Sequence, residues 1–122
     1  MPKLTVYFPA STAVSIEGLV LVKTALQSAV AEAASTDSVT LVESDVDVLM
    51  IPYDPVLYLF SQAVAIELET FGYNNRKDKM TEAAMLELKR KLARHLDLGG
   101  FPVDLNKPLI WLKYVDPDGH HV

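Results

Sequence analysis

The chain opens Met1-Pro2-Lys3-Leu4-Thr5-Val6-Tyr7-Phe8, and a second stretch, Ala63-Val64-Ala65-Ile66-Glu67-Leu68-Glu69-Thr70-Phe71, repeats its rhythm near mid-sequence. In the first, Leu4, Val6 and Phe8 fall on one side and Lys3, Thr5 and Tyr7 on the other. In the second, Val64, Ile66 and Leu68 oppose Glu67 and Glu69. A period of two is that of a strand whose faces meet different surroundings, and a one-residue slip would exchange those faces. Each stretch therefore predicts a strand with one apolar face.

Each strand is followed by a helical pattern. From about Ser15, apolar residues at Leu19, Val22, Leu26, Ala29, Val30 and Ala33 keep helical spacing to about Ala34. A second helix is predicted from about position 77, with Met85, Leu88, Leu92 and Leu96 on its apolar stripe, a Glu87–Lys91 pair on its wet side and Gly99-Gly100 as its stop. Between the halves, Val39 and Leu41 are read as starting a second strand. Val46, Val48 and Met50 then continue as a short extra ribbon after Glu43-Ser44-Asp45. Pro52 and Pro55 are read as loop. Leu109 to Val115 is the last strand, with Ile110, Leu112 and Tyr114 opposite Trp111 and Lys113.

The order strand, helix, strand, strand, helix, strand predicts an α+β fold. Two β-α-β units form a four-stranded mixed sheet with both helices on one face. It is read as a single domain over 1–122 with halves of about 1–61 and 62–122, an architectural repeat without residue identity. The other sheet face carries Tyr7, Glu67, Glu69, Trp111 and Lys113, a mixture suited to packing against other subunits.

Composition narrows the function. The chain has 122 residues, is 50% hydrophobic and has a net charge of −5, which suits one packed core and argues against nucleic acid or an anionic membrane as partner. Its apolar windows are short or broken by Pro52, Asp54 and Pro55, and no signal-peptide core follows Met1, so a cytoplasmic location is expected. With no cysteine, disulfides, thiolate metal sites and cysteine nucleophiles are excluded. His95 sits in a helix and His120-His121 near the chain end, too few convergent ligands for a metal, and no phosphate loop or nucleophile elbow occurs. No cofactor or metal is expected.

Pro2 is the first candidate for chemistry. If Met1 is removed, Pro2 becomes a secondary amine, and burial among apolar side chains would lower its pKa by disfavouring the ammonium, leaving a general base. Equally, proline is tolerated at the first residue of a strand.

Met1-Pro2 leading the first strand, Phe71-Gly72 ending the third, Leu92-Ala93-Arg94-His95-Leu96 closing the second helix and Tyr114-Val115-Asp116 ending the fourth strand occur in an order that resembles the tautomerase superfamily. The likeness spans essentially the whole chain. It is nearest to the double-length branch that includes macrophage migration inhibitory factor and malonate semialdehyde decarboxylase. The resemblance implies a cofactor-independent enzyme that moves a proton on a small 2-oxo or 2-hydroxy acid, a homotrimer, and Pro2 as catalytic base or acid. It places Asp37 where the decarboxylase branch has a catalytic aspartate, although a loop aspartate also forms turns. Arg76, in Asn75-Arg76-Lys77-Asp78-Lys79, stands where family arginines bind a substrate carboxylate, which a guanidinium grips in bidentate fashion. Trp111 falls where the inhibitory-factor branch has an active-site tyrosine and could stack on a planar substrate, the other reading being a half-buried packing role. Lys113, with Glu67 and Glu69, is read as interface first and catalytic second, with Lys113 as the substrate contact among them.

The chain departs from the family pattern in having no arginine near the start of its first helix and only Arg76, Arg90 and Arg94 in all. Its connection from Pro52 to Gln62 is also longer than in the inhibitory-factor branch. Two alternatives therefore stand. One is a non-enzymatic trimer that keeps the fold as an interaction module. The other is a ferredoxin-like or dimeric α/β-barrel ligand-binding protein with the same element order.

Overall fold

The computed structural model describes residues 2–35, 40–54, 64–71, 81–106 and 109–115, with the backbone alone at 70–71 and 109–115. The elements are β1 (Lys3–Pro9), α1 (Ile16–Ala34), a 3-10 turn (Glu43–Asp45), β2 (Asp47–Tyr53), β3 (Ala65–Phe71), α2 (Glu82–Leu98) and β4 (Leu109–Val115). The strands form one sheet in the order β2-β1-β3-β4. β1 pairs parallel with β2, β3 pairs parallel with β4, and β1 pairs antiparallel with β3. Within each parallel pair the partners lie 44 positions apart, Lys3 with Asp47 and Ala65 with Leu109. In each half the helix connects two strands that lie side by side. A ferredoxin-like sheet splits each such unit by inserting another strand, so the strand order removes that alternative.

Both helices start where a hydroxyl satisfies an orphan amide. Ser15 Oγ accepts from the N–H of Gly18 at 3.0 Å, and Thr81 Oγ1 from that of Ala84 at 3.2 Å. Thr81 has extended backbone, so α2 begins at Glu82 and not at about 77 as its sequence suggests. At its other end Phe101 N–H reaches the Leu96 carbonyl and Gly100 N–H that of Asp97, both at 3.0 Å, a Schellman closure with Gly100 at φ +89°. Phe101 then turns into the core and meets Phe8 edge to face, with ring centroids 5.2 Å apart.

The core lies between sheet and helices. Leu4, Val6, Ile66 and Leu68 from the sheet meet Val22, Leu26 and Val30 of α1 and Leu88, Leu92 and Leu96 of α2. The helix residues recur every four positions, the spacing that stacks side chains along one face. Burying each such aliphatic contributes about 1.5–3 kcal/mol. Gly99 lets the helices approach, because a Cβ there would overlap Cγ2 of Val22. Lys91 reaches Glu32 of α1 at 3.8 Å, not the Glu87 expected on its own helix. Among the described residues no helix is long and apolar enough to cross a membrane.

The second strand differs most from expectation. Leu41 and Val42 lie outside any strand, the Glu43–Asp45 turn follows, and β2 runs from Asp47 through Pro52 to Tyr53. Pro52 fits because β2 is the edge strand, where a missing N–H costs no ladder bond. The face away from the helices is a set of cross-sheet rows. Asp47, Lys3, Glu69 and Lys113 form one row, alternating in charge from edge to edge, and Leu49, Thr5, Glu67 and Trp111 form the next.

Leu92→Ala, at the centre of the core, is expected to cost about 2–5 kcal/mol in urea unfolding. Gly99→Ala is expected to cost about 1–3 kcal/mol, and part of that loss should vanish in a Val22→Ala background, the mark of a direct clash. Lys3→Glu would put three carboxylates side by side and lower the urea midpoint by less than Leu92→Ala does. Adding salt should shrink that loss.

Candidate active site

Pro2 immediately precedes β1 and its side chain is fully buried. Its carbonyl accepts from the N–H of Asp47 at 3.0 Å, which ties the start of β1 to the start of β2. One residue earlier, the Val46 carbonyl accepts from Gln27 Nε2 at 2.9 Å. A mid-helix amide on α1 thereby holds the segment that holds Pro2. Nothing in the sequence marks Gln27, because its role depends on which strand start lies beside it.

Strand direction determines what else gathers at this end. β3 runs antiparallel to β1, so Glu69 and Phe71 lie toward the Pro2 end, and the parallel β4 brings Lys113 and Val115 there too. Lys113 stands opposite Glu69 in register, and Trp111 opposite Glu67. Both odd-numbered positions belong to the face away from the helices. Asp37 and Arg76 lie outside the described residues. Of the chain that flanks Asp37, Ser35 donates its hydroxyl to the Ala31 carbonyl at 2.7 Å and accepts from Leu41 N–H at 2.9 Å. The chain therefore leaves α1 and returns to the same hydroxyl.

The face away from the helices is not uniformly wet. Thr5 is buried at 5% exposure, Ala65 is buried and Tyr7 half-buried. At the opposite end of the sheet, burial raises the Tyr53 phenol above its ordinary value, so it stays protonated at neutral pH. Among the described residues no group of three histidines and carboxylates is arranged to hold a metal ion. A surface hollow of about 560 Å³ is lined by Ser28, Glu32, Val42 and Ser44, among others. Chemically, this end of the sheet offers a buried proline at a strand head and a row of alternating charges beside it.

No protein-family model and no curated protein matches the sequence. Solved structures do match over nearly the whole chain. A fused 4-OT, described as an asymmetric trimer, aligns with a TM-score of 0.67 at 14% identity, covering 98% of this chain and 91% of that one. A malonate semialdehyde decarboxylase inhibited by 3-bromopropiolate aligns at 0.60 and 13%, covering 96% and 84%. A macrophage migration inhibitory factor-like protein from Entamoeba histolytica aligns at 0.62 and 8%, covering 99% and 98%. At such identities the likeness is one of fold, and it extends through both halves and the unsplit β-α-β units. The chain has the fold of the tautomerase superfamily.

Proposed function

We propose that this chain is a cofactor-independent, tautomerase-like enzyme acting on a small 2-oxo or 2-hydroxy acid, with the amine of Pro2 moving the proton. The observation that carries the reading is the burial of Pro2 at the head of β1 in a fold shared with fused 4-OT and malonate semialdehyde decarboxylase. Removal of Met1 is a required step, because an acylated proline nitrogen has no basicity. The freed amine takes a proton from the enol oxygen, and a proton is returned to carbon, so the substrate is isomerised without net oxidation. In decarboxylation or hydration the same amine, if cationic, serves as acid. Arg76 binds the substrate carboxylate, Trp111 stacks on its plane, Lys113 contacts the substrate, and Asp37 is the second catalytic residue beside Pro2.

The trimeric state described for the fused 4-OT structures supports a homotrimer assembled through the sheet face away from the helices. The alternating row of Asp47, Lys3, Glu69 and Lys113 lies on that face. A second reading, a trimeric interaction module without chemistry, is favoured by one observation: the chain has no arginine near the start of its first helix.

The N-terminal mass and one variant separate the two. The enzymatic reading expects loss of Met1 and isomerisation of phenylpyruvate or 2-hydroxymuconate. Pro2→Ala should reduce that activity by about 10²–10⁴-fold, the usual contribution of a positioned acid–base group. A base must be unprotonated, so the wild-type rate should fall as pH drops below the amine's pKa. A retained Met1, or full activity in Pro2→Ala, would falsify this assignment and leave the interaction module.

A further inference from the structure

Pro2 stands at the end of a relay of hydrogen bonds that begins on α1. Gln27 Nε2 donates to the Val46 carbonyl at 2.9 Å, and the N–H of Asp47 donates to the Pro2 carbonyl at 3.0 Å. The Val46 carbonyl and the Asp47 N–H belong to one peptide group. No cis peptide occurs among the described residues, so this C=O and this N–H point in opposite directions. Gln27 therefore grips the group from one side and Pro2 from the other.

The topology explains why a helix residue takes this part. β2 is an edge strand with β1 as its neighbour in the sheet. With the Asp47 N–H turned toward β1, the Val46 carbonyl faces the side where no further strand of this sheet runs. Val46 is 1% exposed, so an unpaired carbonyl there is costly. Gln27 supplies the donor that a next strand would have supplied. Donation to a carbonyl polarises its amide and strengthens the N–H on the far side, so the effect passes on to the Pro2 carbonyl. A protonated amine is steadied by the partial charge on its own residue's carbonyl oxygen, and a donor on that oxygen draws the charge away. The relay thus favours the neutral amine and fixes the strand head that carries it.

We infer that Gln27 is the positioning residue of Pro2: through the Val46–Asp47 peptide it holds the terminal amine in place and favours its unprotonated form. This rests on the reading of Pro2 as the reacting amine, and Gln27 itself touches no substrate. Charged residues on the elements around the strand head are Lys3, Asp47, Glu69 and Lys113 in the sheet, Lys23 on α1, and Glu43 and Asp45 in the 3-10 turn. All are unchanged when Gln27 alone is replaced, so a difference in the amine reports the relay.

The test uses the full-length chain after removal of Met1, with NMR titration of the Pro2 amine beside phenylpyruvate kinetics. Gln27→Met keeps the length of the side chain and removes the donor. Leu92→Val, a core change with no part in the relay, is the control for stability alone. Gln27→Met is expected to raise the amine's pKa and to lower kcat at neutral pH by up to about 10²-fold with KM little changed, as misplacing a catalytic group does. The acid limb of its pH–rate profile should move to higher pH in step with the amine. Leu92→Val is expected to lower the urea midpoint and to change neither. An unmoved amine in Gln27→Met, an equal shift in Leu92→Val, or an undiminished kcat in Gln27→Met would each overturn the proposal, and loss of turnover in Pro2→Ala would then leave the enzymatic reading standing. Wild type without turnover, but with an amine that shifts in Gln27→Met, would sink the enzymatic reading and keep the relay.

Discussion

The antiparallel seam between β1 and β3 is what the remaining structure depends on. A parallel strand pair with one covering helix has too little surface to bury, and here there are two such units. The seam sets Leu4 opposite Leu68 and Val6 opposite Ile66. Those four side chains form the floor on which both helices rest. Small domains bury a modest fraction of their surface, so merging two half-cores into one is decisive for stability. The close contact of Gly99 with Val22 and the turn of Phe101 onto Phe8 finish the same task from the helix side.

The seam also positions Pro2. Because β1 and β3 run in opposite directions, the start of one lies beside the end of the other. Pro2 thus comes to the sheet end where Phe71 and Val115 conclude their strands. A hydrogen bond from Asp47 to the Pro2 carbonyl, backed by Gln27 on the Val46 carbonyl, holds that end together. A strand head holds its residue in place, since the ladder positions the backbone.

Several features were legible in the residues. The alternation from Lys3 to Phe8 and from Leu109 to Val115 located β1 and β4, and the spacing of Val22, Leu26 and Val30 located α1. The start of α2 at Glu82 is set by the hydroxyl of Thr81 and its extended backbone, while Lys77 to Met80, where the helix was expected to begin, lie outside the described residues. β2 was read only in part: Val48 and Met50 of the expected ribbon fall within it, Leu41 does not, and Val39 lies outside the described residues. Leu41 and Val42 have strand-like side chains but precede a 3-10 turn, while Pro52, which usually marks a loop, is harmless on an edge. Edge position is a property of the sheet and cannot be read from a segment alone.

For the candidate site, the sequence by itself excluded disulfides, thiolate metal sites and cysteine nucleophiles, since there is no cysteine. It also determined that Pro2 stands at the head of a strand with one apolar face, because alternation is a local property of the chain. Only the tertiary structure decided that Gln27 supports that strand head and that Lys3 stands between Asp47 and Glu69. It alone decided that each β-α-β unit is unsplit, and that the outer side of α1 leaves Ile16 and Leu21 in water. These are matters of strand order, register and helix rotation, set by long-range pairing across the seam and by the packing of both helices on one shared floor.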